Sequence, residues 1–565
     1  MRRRDFLAGS TLLALPGGPL AGAPMLWAKP PHGSAAAPVS DAHAHFFNAS
    51  DLPVRNFLRH VIAAEQFPGL PEIALAIADL AGAMAKQLSL SARTEWQRLG
   101  PAAALAGDDD VSAAQFGKAA AQYQQSQINK RSANADAAPQ PETNLADSHL
   151  ALAKLLDVVD MPDAPTADAD KSASRAVRID AERYSALVES AEGDIKRGLE
   201  SAAVAPVCGI ESEIDARTII RWVFLMCQSR RSHVRKYGAV IRAPGLAVRD
   251  AANLLVDYDQ WLSETPLPRS SHADQVRFWT RYADVTAANP DAIRLHSFAG
   301  YCPLKHVEER LARATETTLD RMKRWVAAGA AGDAGATHRI AGFKIYPPMS
   351  FRPDSNAALR LPKDRAAVAI RKRWQRKKWN IDTLGRRLDD ALDEFFRFCA
   401  EGDVPIIAHA ATSNGSMSGA AAMADPAYWV NRAKQVARYG HHPIRVALGH
   451  FDMGGLNFAT LAAALRLNRD PDVRSNIDFD VSFDTDVLAG NPKCLLDPLA
   501  WVCAEVGDGG DYILFGSDWI MLGNQRAAPR YLQTVHDAAS AHPFWGDKVD
   551  KLFRTNFLRF LKQPV

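Results

Sequence analysis

A chain of 565 residues has room for a barrel of about 250 residues with large additions, or for two or three ordinary domains. Its hydrophobic content of 47% and charged content of 23% exclude both a disordered chain and a membrane-embedded bundle. A net charge of +3 spread over this length gives no electrostatic footprint for nucleic acid.

The first predicted element is an export leader. Arg2-Arg3-Arg4-Asp5-Phe6-Leu7 precedes an apolar run to about Leu26 that Pro16-Gly17-Gly18-Pro19 breaks, which makes it a poor spanning helix. Paired arginines followed by Phe-Leu resemble the twin-arginine signal that carries folded proteins across the bacterial membrane, so that export machinery is an expected partner. Ala21-Gly22-Ala23 and Ala35-Ala36-Ala37 are small-residue cleavage candidates. Residues 1–37 are therefore read as leader and linker, with a periplasmic mature chain and no stable membrane span after processing.

Residues 38–50 hold a first strand at 39–46. From 51 to 250 the chain is rich in Ala, Leu, Glu, Gln, Lys and Arg with apolar residues three and four apart, which predicts a helix-rich insertion. Within it, 219–226 is apolar almost all round and reads as a buried helix, and 107–110, 133–143 and 160–170 read as loops. Beyond 250 short apolar runs alternate with amphipathic stretches, the rhythm of an α/β protein. Strands are predicted at 253–258, 292–298, 340–346, 404–410, 444–450, 477–483 and 512–517. With 39–46 they make the eight of a (β/α)8 TIM barrel, completed by residues 251–565 and interrupted by the insertion between strands one and two. The basic run at 371–378 reads as a solvated helix face. The six cysteines lack the tight spacing of a zinc ribbon or a disulfide framework and read as small buried residues.

In a strand, Asp41, His43 and His45 share one face, so two imidazoles can converge on one ion. Three other predicted strands also end on metal-ligating types, at His409, His450 and Asp518. A single histidine at a strand end is ordinarily a hydrogen-bonded structural residue, but the carboxyl ends of barrel strands gather at one mouth, where active sites of this architecture lie. Four coinciding strand ends point to a metal centre.

Asp-x-His-x-His on strand one, histidines closing strands five and six, and Gly-Ser-Asp-Trp on strand eight resemble the amidohydrolase superfamily. Gly342-Phe343-Lys344-Ile345-Tyr346-Pro347-Pro348 and Phe515-Gly516-Ser517-Asp518-Trp519 are similar to its amidohydrolase-related branch, which includes aminocarboxymuconate-semialdehyde decarboxylase. The resemblance covers 39–47 and about 250–560. It implies one divalent ion, usually zinc, surrounded by His43, His45, His409 and Asp518, with His450 a catalytic residue behind them; Asp518 would also move protons, and His450 would polarise a carbonyl or hold the developing oxyanion. Such a site hydrolyses an amide, ester or lactone of a small-molecule substrate. Asp41 is expected one layer deeper, orienting a ligand histidine through its second ring nitrogen. Lys344 either bridges a second ion as a carbamate, as in some members, or binds a substrate carboxylate or an acidic neighbour; the site is read as mononuclear. Arg352 and the Tyr301-Cys302-Pro303 loop lie where a substrate would, or serve as surface and packing residues, while Trp519 shapes the mouth and Asn556 caps the last helix. The competing functions are non-oxidative decarboxylation of an unsaturated or aromatic acid and a non-catalytic scaffold, and the oligomeric state is open.

Overall fold

Short apolar runs flanked by amphipathic stretches bury both their faces by pairing side by side under a coat of helices. The computed structural model describes residues 36–62, 71–100, 110–133, 222–263, 268–328, 339–413, 415–436, 443–450, 458–471, 473, 475–525 and 527–564. In it the runs form β1 (Ala37–Ala44), β2 (Leu246–Leu254), β3 (Arg294–Tyr301), β4 (Gly342–Ile345), β5 (Ile406–His409), β6 (Ile444–Gly449), β7 (Ser475–Asp480) and β8 (Ile513–Leu514). Each strand pairs in parallel with the next in that order. The Ala42 N–H donates to the Phe515 carbonyl at 2.8 Å and the His45 N–H to that of Trp519 at 3.1 Å, which brings the last strand back to the first. The result is the expected (β/α)8 barrel.

Residues 1–35 of the expected leader, Cys208, and most of the loops expected at 107–110, 133–143 and 160–170 lie outside the described residues. Ala37, part of the second cleavage candidate, already opens β1. Between β1 and β2 the described chain is helical, with Val54–Phe57, Pro71–Leu88, Ala92–Arg98, Ala113–Ala133 and Arg230–Val240. A short strand, Arg242–Ala243, then turns antiparallel onto β2. Of the helix expected at 219–226, the described 222–226 is helical and largely buried. Among the described residues no helix is long and apolar enough to cross a membrane. Cys227, Cys302, Cys399 and Cys503 are buried free thiols as expected, but Cys494 is exposed.

The second strand begins earlier than its apolar run suggests, at Leu246 rather than 253. Its first half carries Arg249 and Asp250, and Asp250 is satisfied across the sheet by Arg294 at 2.8 Å and His296 at 2.9 Å. Leu255 to Tyr258, read as strand, are instead a buried loop beyond it, whose apolarity serves a recess at the barrel mouth.

Two apolar layers hold the barrel. Inside, Ala42, Ala252, Leu254, Phe298, Ile407, Ala447 and Leu514 pack on Phe557, Phe560 and Leu561 of the last helix, Asn556–Leu561, which plugs the amino-terminal end. Outside, Leu384–Glu401 buries Leu388, Leu392, Phe395, Phe396 and Cys399, a face set by apolar residues three and four apart. Phe395 stacks on Tyr301 with centroids 4.0 Å apart. Burying each such large side chain stabilises the fold by about 1.5–3 kcal/mol. The helix stops at Gly402, followed by Asp403 at φ 52°. The basic run at 371–378 is not simply a solvated face: Arg373 pairs with Glu308 at 2.8 Å and fully buried Trp374 donates to Glu308 at 2.7 Å.

The helices between β1 and β2 are locked to the barrel through Arg230, whose side chain is completely buried. Its guanidinium grips Asp51, which follows β1, and reaches Glu95 at 2.6 Å and Ser270 at 3.0 Å. Asn48 extends the network to Glu95 at 3.3 Å and to the Gln228 carbonyl at 3.2 Å. Removing the cation strands two buried carboxylates. Arg230→Met is expected to cost about 3–5 kcal/mol of stability, measured by urea unfolding; a loss under about 1 kcal/mol would show that the network contributes no more than a surface pair.

Candidate metal centre

β1 reaches the barrel mouth through a register irregularity between Asp41 and Ala44. A bulge re-aims the side chains around it. Ala42 joins the inner apolar cluster, whereas Asp41 faces outward to Tyr237, whose hydroxyl donates to Oδ2 at 2.7 Å. The three-residue alternation expected for Asp41, His43 and His45 is therefore broken. Asp41 Oδ1 accepts from the backbone N–H groups of His43 at 2.9 Å and Ser517 at 3.0 Å, so it braces main chain and does not hold a ligand ring.

The ring is held by Asp480, at the end of β7: His43 Nδ1 donates to its Oδ2 at 2.8 Å. His45 Nδ1 donates to the Leu254 carbonyl at 2.8 Å. Each bond fixes a tautomer that leaves Nε2 with its lone pair. Those two atoms lie 4.0 and 3.6 Å from Asp518 Oδ1. His43, His45 and Asp518 offer ligand atoms that all lie within 4.8 Å of one another. Burial, reinforced by the charge of Lys344, holds both histidines well below the ordinary imidazole range, so they are neutral as ligation requires. The donor set, two neutral imidazoles and a carboxylate, fits a divalent ion of borderline softness.

The remaining strand ends surround this group. His450 lies with its ring centroid 4.4 Å from that of His43, and burial pushes it down to about 4. Its Nδ1 meets Ser482 Oγ at 3.0 Å, and Ser482 donates onward to Asp480 Oδ1. Asp480 also accepts the His450 N–H at 3.1 Å. His409 stands beside this pair, its ring 4.8 Å from His450 and 4.4 Å from Tyr346, but outside the three-residue group. Lys344 projects from β4 with Nζ 3.2 Å from His43 Nε2; burial pushes it down to about 8 against the pull of Asp480 and Asp518. Asp518 is pushed up to about 8, again mainly by burial, with Lys344 opposing.

Backbone strain collects here. His450 at φ 59°, Asp518 at 51° and β-branched Ile520 at 82° adopt left-handed conformations that cost about 1–3 kcal/mol each. Gly449, just before His450, leaves the space the His43 ring occupies: a Cβ there would lie 2.5 Å from its Cε1.

The other expected participants have contacts of their own. The Arg352 guanidinium lies 5.0 Å from the Tyr428 ring centre, on a loop tied by Asn356 to Asp389 at 2.8 Å. Tyr301 lines the recess beside Lys344 and is also a packing residue that donates to the Ala391 carbonyl at 3.0 Å. Trp519 is buried with its ring centroid 5.6 Å from that of Tyr237. Asn556 does not cap its helix but donates to the Gly510 and Ile513 carbonyls, each at 2.8 Å, fastening the plug to β8. Asp480 and Tyr237 escaped the sequence reading. Asp480 had a weak signal, since it alternates with Ile477 and Phe479 inside a predicted strand; Tyr237 had none.

Two outcomes follow from this geometry. Asp518 must shed its proton to ligate, so divalent-ion affinity should rise about tenfold per pH unit below pH 8 and level off above it. Calorimetry in buffers of different ionisation heat should show about 0.9 proton released per ion at pH 7, and none would contradict the protonated carboxyl. Gly449→Ala should displace the His43 ring and weaken ion binding at least tenfold; unchanged affinity would show that the ring relocates freely.

The match to a family covers more than half of the chain: the amidohydrolase model aligns with residues 256–561. No curated protein and no solved structure gives a match. β1, with His43 and His45, and its neighbour β2 precede the matched segment, and the barrel brings β1 against β8, inside that segment. With its barrel closed and its donors gathered at the mouth, the chain belongs to the amidohydrolase family.

Proposed function

We propose that this chain is a metal-dependent hydrolase that adds water to the amide, ester or lactone carbonyl of a small molecule. One divalent ion, zinc by donor chemistry, is held by His43, His45 and Asp518, with His409 as the fourth side chain. The observation that carries the reading is the convergence of three ligand atoms within 4.8 Å at the mouth of an amidohydrolase barrel. When bound, such an ion supplies Lewis acidity that lowers the pKa of water from about 15.7 to about 7.

The chain's own residues then divide the proton work. Asp518, titrating near neutrality, accepts a proton from the attacking water and returns it to the leaving group. His450 departs from its expected role. With Nδ1 protonated toward Ser482, burial keeps the ring neutral and its Nε2 presents a lone pair, so in this reading it accepts a hydrogen bond at the site. Lys344 Nζ is the donor placed for a developing oxyanion, and this use of Lys344 requires no second ion. Beside it Tyr258, Trp261, Tyr346, Met349 and Phe351 line a recess suited to the apolar body of a substrate. The paired arginines of the leader support export of this enzyme to the periplasm.

Metal analysis and turnover test the proposal. The purified chain should carry about one ion, lost in His43→Ala and in Asp518→Ala, and Asp480→Ala should weaken binding about 10–100-fold. Turnover of a panel of lactones, esters and amides should stop on chelation and return with zinc. Carbon dioxide released from unsaturated acids without any hydrolytic product would reassign the site to decarboxylation, and a wild-type chain that binds no ion would refute the metal centre.

A further inference from the structure

We propose that Tyr237, on the helix Arg230–Val240 between β1 and β2, is a positioning residue for the metal centre. Its hydroxyl fixes Asp41, and Asp41 fixes the main chain that carries two of the ligands. The inference rests on the metal-site reading above and adds to it a residue from outside the barrel.

The chain of contacts is short and dry. Tyr237 OH donates to Asp41 Oδ2 at 2.7 Å, and Asp41 Oδ1 accepts from His43 N–H at 2.9 Å and Ser517 N–H at 3.0 Å. One of these amides belongs to a proposed ligand and the other immediately precedes Asp518. The Asp518 N–H donates to the His43 carbonyl at 2.7 Å, which closes a ring of contacts between the two ligand-bearing strand ends. Tyr237, Asp41, His43 and Ser517 are all 0% exposed, so no water competes for these bonds.

Tyr237 is placed to do this by more than its hydroxyl. Its ring meets Phe46 edge-on at 5.1 Å, just beyond β1, and Trp519 at 5.6 Å, just beyond Asp518. The helix that bears it begins at Arg230, the buried anchor to Asp51 and Glu95. The carboxylate is turned so that one oxygen faces two amides, and the phenol on the other oxygen, together with the Ser517 side chain, holds that turn. Asp41 and Tyr237 both precede the segment matched by the family model.

The test uses the full chain and Tyr237→Phe, which keeps the ring and removes one oxygen. Zinc affinity, by competition with a chromophoric chelator, should fall about 10–100-fold, and the visible absorption of the cobalt-substituted protein should shift. In an Asp41→Asn background the same substitution should change affinity less than about twofold. Unaltered affinity and spectrum in Tyr237→Phe, or an equal loss in the Asp41→Asn background, would overturn the proposal. Should the phenylalanine chain fail to fold, hydrogen exchange on the metal-free wild type decides: the His43 and Ser517 amides should be protected as strongly as their sheet neighbours, and fast exchange refutes the brace. A wild type that binds no zinc defeats the metal reading, whereas wild-type binding unchanged by Tyr237→Phe defeats only the positioning role.

Discussion

The contact between His43 and Asp480 is the one on which the rest of the centre depends. It joins the first strand to the seventh, selects the tautomer that leaves Nε2 available, and shares its carboxylate with the His450 backbone and the Ser482 hydroxyl. A buried carboxylate is tolerable only when its oxygens are occupied. Both oxygens of Asp480 are, and each partner is thereby fixed in turn. The missing side chain at Gly449 belongs to the same constraint, because the aimed ring passes where a methyl group would sit. So do the left-handed backbones of His450 and Asp518, which a well-paired interior can hold against their intrinsic preference.

The barrel's two ends are specialised in opposite directions. At the amino-terminal end Phe557, Phe560 and Leu561 fill the interior, and Asp478, two residues before Asp480 on the same strand face, is neutralised by Arg559. At the other end the same alternation delivers Asp480, Lys344 and His409 into a shared polar space. One strand thus carries two carboxylates two residues apart, one spent on structure and one on the site. Burial pushes both Lys344 and Asp518 to about 8, into the range where proton exchange is useful near pH 7.

Much of this architecture was legible in the sequence because it is periodic. Apolar runs with a polar terminus located the strands and most of the residues around the centre, His43, His45, Asp518 and Lys344 among them. What the pattern could not carry was where individual side chains turn. The bulge after Asp41 reverses an alternation that a regular strand would keep, and nothing in Ser40-Asp41-Ala42-His43 announces it. Asp480 was hidden among acidic neighbours in the interior of the predicted strand 477–483, and the start of β2 by charges that are satisfied only across the sheet. Tyr237 lay out of reach because its meaning exists only once a distant helix is docked. For Arg352 the sequence left both a substrate contact and a packing role open, and in the structure its guanidinium lies over the Tyr428 ring.

The order of the ligands along the chain has a consequence for folding. His43 and His45 lie near the start, Asp480 and Asp518 near the end, and β1 must wait for β2, about 200 residues later, before it has a neighbour on that side. Closing so long a loop adds only a modest entropic cost, since that cost grows with the logarithm of length, but pairing of this kind is slow. The ion-binding atoms therefore come together only when the first and last strands meet. Occupancy of the centre then reports on completion of the barrel: a chain arrested with β1 undocked would retain most of its helices and strands and yet offer no intact site to an ion.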